Sequence, residues 1–95
     1  MTDAEILAIL KTDLQVSSPA LDAYLSTLIA SAKSYISTEG VILSDTPDDG
    51  MLVEMYASYL YRKRREESAQ MPRMLRWALN NRIFSAKMRG GGESG

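Results

Sequence analysis

The cations of this chain crowd into its last third. "YLYRKRREES", Tyr59 to Ser68, sets Arg62, Lys63, Arg64 and Arg65 in unbroken succession. A second group follows, in which Arg73, Arg76, Arg82 and Lys87 are interleaved with Trp77 and Phe84. Residues of these types do binding chemistry. Guanidinium and ammonium groups hold phosphates and carboxylates, and Trp beside Arg is the composition of protein-interface hot spots. Groups for covalent chemistry are scarce. The sequence has no cysteine and no histidine, which removes disulfides, thiolate nucleophiles, most zinc sites and imidazole acid–base catalysis. It shows no paired carboxylates at a catalytic spacing, no glycine-rich phosphate loop ahead of a helix and no nucleophile motif. The "DDG" at Asp48 to Gly50 lacks the other ligand positions of a calcium loop. The expectation is a protein that is not an enzyme and has no cofactor and no metal.

The elements that carry these residues read as helices. Ninety-five residues suit one domain, here 1–89, followed by a glycine-rich stretch expected to be a flexible tail at 90–95. The spacing predicts an all-α bundle of four helices, at about 3–12, 19–39, 47–67 and 72–88. Thr2 and Glu5 stand at capping-box spacing. Ser18 and Pro19 suit a helix start and Gly40 a stop. Leu21, Tyr24, Leu25, Leu28, Ile29, Ala32, Tyr35 and Ile36 fall in one arc of roughly 140°, a core face. The opposite face is mostly Ala, Ser and Thr. Val41 to Leu43 is expected to plug the core, with Asp45 or Thr46 capping the third helix ahead of Pro47, Asp48 and Asp49. Leu52, Val53, Met55, Tyr56, Tyr59 and Leu60 are its expected buried side.

Helical geometry then limits what the cations can do. Successive residues lie about 100° apart, so Arg62 to Arg65 encircle the third helix and do not form a one-sided DNA reader. The run suits a helix end, where positive charge meets the negative end of the dipole, with Arg62–Glu66 and Lys63–Glu67 as i,i+4 pairs. It also suits an assembly surface or, after that, a nucleic-acid contact through Lys63, Arg64, Arg65 and Lys87. On the fourth helix, Leu75, Ala78, Leu79, Ile83 and Ala86 make a core face. Arg73, Arg76, Asn80 and Lys87 fall within about 60° of one another, beside a second apolar face of Trp77, Phe84 and Met88. Arg82 lies among the core positions and needs a partner, expected to be an acid of the N-terminal half, in the same chain or on a neighbouring subunit.

Charge is divided along the chain. Residues 1–61 hold two cations and nine acids, a net of −7; residues 62–95 hold nine cations and three acids, a net of +6. Such a dipolar chain pairs its halves internally or presents opposite signs to neighbouring copies. No apolar run is long enough to span a membrane, and "MTDAEILAILK" lacks the basic start of a signal peptide. The expected setting is the cytoplasm, with no membrane partner.

The stretch "ILKTDLQVSSPALDAYLSTLIASAKSYISTEG" resembles the start of the small head–tail connector proteins of tailed bacteriophages and prophages, also called adaptor, head-completion or DNA-packaging proteins. Their "L+.D" opening and "D..L..LI..A..YI....G" helix are matched by Leu10, Lys11, Asp13, Asp22, Leu25, Leu28, Ile29, Ala32, Tyr35, Ile36 and Gly40. A "Y..R" stretch is matched by Tyr59 and Arg62 or by Tyr61 and Arg64, and the proline before a last helix by "MPRMLRWALNNRIF". The likeness covers most of residues 5–88. The chain departs from the pattern in a short segment between its second and third helices, and in "SSPA" where an acidic link is usual. The resemblance implies a small helical bundle, about a dozen copies of which form a ring under the portal protein. A stopper or tail-completion protein would bind the other side, and the double-stranded genome would pass through the hole without sequence-specific contact. The setting is then the head–tail junction of the virion, and the host cytoplasm during assembly. The subunit or portal interface would comprise Arg62, Lys63, Arg64, Arg65, Arg73, Arg76, Trp77, Arg82 and Phe84.

A rival reading is a small helix-turn-helix regulator. The fourth helix would be the reader, with Arg73, Arg76 and Asn80 as base-contacting residues. The sequence pI near 5.3 lacks the positive bias of most DNA binders.

Overall fold

A computed structural model of the chain describes the backbone of residues 1–94 and the side chains of residues 1–88. The described residues form four α-helices and one 3₁₀ turn, with no strand. In chain order these are α1 (Asp3–Leu14), the 3₁₀ turn (Pro19–Leu21), α2 (Asp22–Thr38), α3 (Pro47–Arg65) and α4 (Arg73–Ser94). The all-helical bundle is the expected one. The flexible tail expected at 90–95 lies outside the fully described residues. No helix among the described residues is long and apolar enough to cross a membrane.

Local chemistry sets most boundaries. At the start of α1 the Thr2 hydroxyl accepts from the Glu5 N–H at 3.2 Å, and the Glu5 carboxylate accepts from the Thr2 N–H at 2.9 Å, a complete capping box. The helix runs two residues past its expected end and stops where Gln15 turns left-handed (φ 57°). Val16 N–H then closes back on the Lys11 carbonyl at 2.9 Å. Ser18 caps as expected, but Pro19 opens a 3₁₀ turn and not α2 itself: Asp22 N–H bonds the Pro19 carbonyl, the tighter closure of that turn. Gly40, at φ 102°, ends α2 in a conformation that side chains disfavour. Thr46 is the cap of α3, its hydroxyl accepting from Asp49 N–H at 3.2 Å.

The end of α3 differs from expectation. The helix stops at Arg65, because Glu66 turns extended at φ −147° and ψ 104°. Glu66 and Glu67 thereby leave the helical spiral, and the expected Arg62–Glu66 and Lys63–Glu67 ion pairs do not form. Lys63 Nζ donates instead to the carbonyl oxygens of Glu67 and Ala69, at 2.9 and 3.2 Å.

α3 is the central element and packs on α1, α2 and α4. Ile6 and Leu10 of α1, Leu25, Leu28, Ile29, Ala32 and Ile36 of α2, Val41 of the following loop, Leu52, Val53, Tyr56 and Ala57 of α3, and Leu75 and Leu79 of α4 form the core. Tyr35 was expected among them but is 53% exposed. It lies at the rim and stacks on Tyr56, with ring centroids 5.8 Å apart. Of the expected plug only Val41 is buried; the segment is not helical, and Ile42, next along, is 87% exposed. Met55, Tyr59 and Leu60 are half-buried. Gly50 lets Met1 lie against α3: a Cβ there would stand 2.8 Å from the Met1 Cβ.

Candidate functional site

The cations expected to form one interface occupy three places. Arg62 to Arg65 ring the end of α3 and all are exposed. Two of them are held on aromatic faces. Arg64 lies 5.8 Å from the Tyr24 ring centroid and Arg65 5.3 Å from that of Tyr61. Arg65 Nη1 also donates to the Tyr61 hydroxyl at 2.7 Å.

A second pair points inward from α4. Arg76 Nη1 donates to Glu39 Oε1 at 2.8 Å, which ties α4 to the end of α2. Arg82 Nη2 meets Asp49 Oδ1 at 2.5 Å, so its acid is in the N-terminal half of the same chain. Asp49 is 2% exposed. Its other oxygen accepts from the Ser44 N–H at 2.6 Å and the Ser44 hydroxyl at 2.9 Å. Burial opposes its charge, yet the hydrogen bonds from Ser44 and Arg82 outweigh that and hold its carboxyl below the usual range. Asp49 thus joins the Ser44 loop, the start of α3 and the middle of α4.

The third place is the outer face of α4. Met74, Trp77, Phe84 and Met88 are 76%, 71%, 64% and 62% exposed. With Asn81 they follow one another at alternating steps of three and four residues, the spacing of a coiled-coil seam. Arg73, Asn80 and Lys87, all exposed, border one edge of the seam; Ala78 and Ser85 border the other. Neither Arg73 nor Lys87 is paired with an acid among the described residues. Trp77 and Phe84 were expected on this second apolar face, and none of the described residues covers them. Met51 lies across a neighbouring groove lined by Asp48, Met55, Ala78, Asn81 and Arg82.

Glu54 is a site residue that sequence reasoning missed. It is 1% exposed, and its Oε1 has no hydrogen-bond partner. Burial pushes its carboxyl up to about 8; the hydrogen bond to Asp13 and that residue's charge add to the rise, and Arg62 partly offsets it. Asp13, Ser58, Arg62, Met74 and Leu75 surround it where α1, α3 and the first turn of α4 meet.

No protein-family model, no curated protein and no solved structure matches the chain.

Proposed function

We propose that the protein is a structural assembly subunit, a head–tail connector that forms a ring beneath a phage portal and lets the genome pass. The observation that carries this reading is the outer face of α4: a long apolar seam edged with cations that pair with no acid among the described residues, on a domain too small to bury it. Monomers rarely expose such a face, and its Trp, Phe, Met and Arg content is that of an interface core. The resemblance of residues 5–88 to the connector proteins supports the same reading, as does the division of charge along the chain. Partners under this reading are further copies of the chain, the portal protein, a stopper or tail-completion protein and duplex DNA. Lys63, Arg64, Arg65 and Lys87 are the cations that would meet the DNA in the channel.

The regulator reading has less support. Arg76, one of its base-contacting residues, is committed to Glu39, and Asn80 Oδ1 accepts from the same guanidinium at 3.4 Å. A reader helix would also leave Trp77 and Phe84 in water beside the DNA.

Light scattering from dilute to several mg/ml, with and without a short duplex at two salt concentrations, separates the two. The connector gives an oligomer of about a dozen subunits without DNA. A monomer that binds the duplex tightly, and loses it steeply as salt rises, would overturn the connector reading.

A further inference from the structure

We infer that the groove between α2 and α3, walled by Tyr35, Lys63 and Arg64, binds single-stranded nucleic acid, with an unpaired base stacked on Tyr35 and the phosphates on the two cations. The groove has a volume of about 240 Å³ and is completed by Leu28, Ser31 and Leu60. Its charge is one-sided. The clefts beside Arg62, Lys33 and Arg82 each hold an acid as well, Asp13, Asp45 and Asp48 in turn. Among the described residues no acid lines this one. The acids at the two ends of α2 are engaged elsewhere, Asp22 with Lys11 at 2.6 Å and Glu39 with Arg76 at 2.8 Å. Lys63 and Arg64 pair with no acid among the described residues. Both are nevertheless fixed in place. The bonds from Lys63 Nζ to two carbonyl oxygens hold it without neutralising it. Arg64 lies over the Tyr24 ring, a posture that leaves the edge of its guanidinium to take a phosphate through two hydrogen bonds.

The aromatic part of the groove is equally well held. Tyr56 covers one face of Tyr35, their planes 11° from parallel, and Tyr59 meets Tyr56 edge-on. Tyr35 is still 53% exposed, so the surface it presents to water is its other face. A ring backed in this way is a stacking platform, and such a platform accepts any base. At the far end Tyr24 tilts against Tyr61, with centroids 6.4 Å apart. Tyr24 and Tyr35 stand about 16 Å apart along the axis of α2, with the two cations of α3 alongside. Rings and cations together select an unpaired strand. A duplex offers phosphates but keeps its bases stacked on one another, and would leave Tyr35 uncovered. An acidic peptide would meet the cations and have no use for the ring.

Fluorescence anisotropy tests this with a labelled oligothymidylate of about 10 nucleotides, the same strand annealed to its complement, and polyglutamate as a competitor. At low salt the single strand is expected to bind at least about fivefold more tightly than the duplex, and to lose affinity as salt rises. Tyr35→Ala should weaken binding about tenfold, whereas Tyr35→Phe, which keeps the ring, should bind as the wild type does. Arg64→Gln should weaken binding and flatten its salt dependence. Ser31→Glu sets a carboxylate among the cations and should abolish binding. Circular dichroism confirms that each variant folds. Duplex bound as tightly as the single strand would overturn the proposal, and so would full affinity in Tyr35→Ala. Polyglutamate that competes as well as unlabelled oligothymidylate would reduce the site to its charge and overturn it too, as would no binding at low salt. The inference does not rest on the assembly reading, and the two fail separately. A ring that ignores the strand refutes this site and not the connector. A chain that binds the strand through Tyr35 and never assembles refutes the connector and not this site.

Discussion

At the scale of residues, two buried acids behave in opposite ways. Glu54 holds its proton because burial and Asp13 disfavour its charge. Its pKa is raised in the folded chain, so its contribution to stability is fully present below about pH 4.5, the value from which it is raised, and is lost as pH rises towards about 8. Replacing it with Gln keeps the shape and removes the titration. Thermal denaturation from pH 5 to 9 should therefore show a falling Tm for the wild type and a flatter profile for Glu54→Gln, with the variant the more stable at pH 9. Parallel profiles would show that Glu54 does not titrate in this range. Asp49 has the reverse sign. Its pKa is depressed, so its contribution is present above the ordinary aspartate range and disappears as pH falls through its folded value. Arg82→Ala strands that carboxylate with only Ser44. The expected loss is about 1–3 kcal/mol at pH 7 in urea denaturation, shrinking in acid as Asp49 takes up a proton.

At the scale of elements, the helix starts were legible and the surroundings of α3 were not. Thr2, Glu5, Gly40, Thr46 and Pro47 act through bonds to their own neighbours, and such bonds can be read along a chain. The end of α3 depends on Lys63 reaching the Glu67 and Ala69 carbonyls, which an i,i+4 pattern does not show. Glu54 and Ser58 were missed for another reason. A single apolar arc describes a helix with one buried side, whereas α3 meets α1, α2 and α4 and is buried on three. The exposed seam of α4 was visible because Trp77, Phe84 and Met88 fall outside the arc of Leu75 and Leu79. Among the described residues, those two leucines are the only fully buried apolar side chains that α4 contributes. Leu79→Ala should accordingly cost about 2–5 kcal/mol. Hydrogen exchange should accelerate in α4 before it does in α2 or α3, since the contacts holding α4 are few. Uniform acceleration through all four helices would mean that α4 unfolds only with the whole domain.

At the scale of the whole molecule, the charge asymmetry is left largely unneutralised. Lys11 pairs with Asp22 at 2.6 Å, and Lys33 pairs with Asp3; both pairs lie within the acidic half. Among the described residues, only Arg76–Glu39 and Arg82–Asp49 join the two halves. Arg62, Lys63, Arg64, Arg65, Arg73 and Lys87 form no ion pair among the described residues. A chain built in this way attracts its own copies across opposite surfaces, and exposed charges of that kind are screened by salt. Self-association should therefore weaken about tenfold or more as sodium chloride rises from ~0.05 to ~0.5 M, read by light scattering at fixed protein concentration. The apolar seam pulls the other way, because burial of Trp77 and Phe84 is not screened. Association that is unchanged or tighter at high salt would assign the contact to the apolar residues alone. The cations of α4 would then be left free for another anionic partner, such as the phosphates of a duplex.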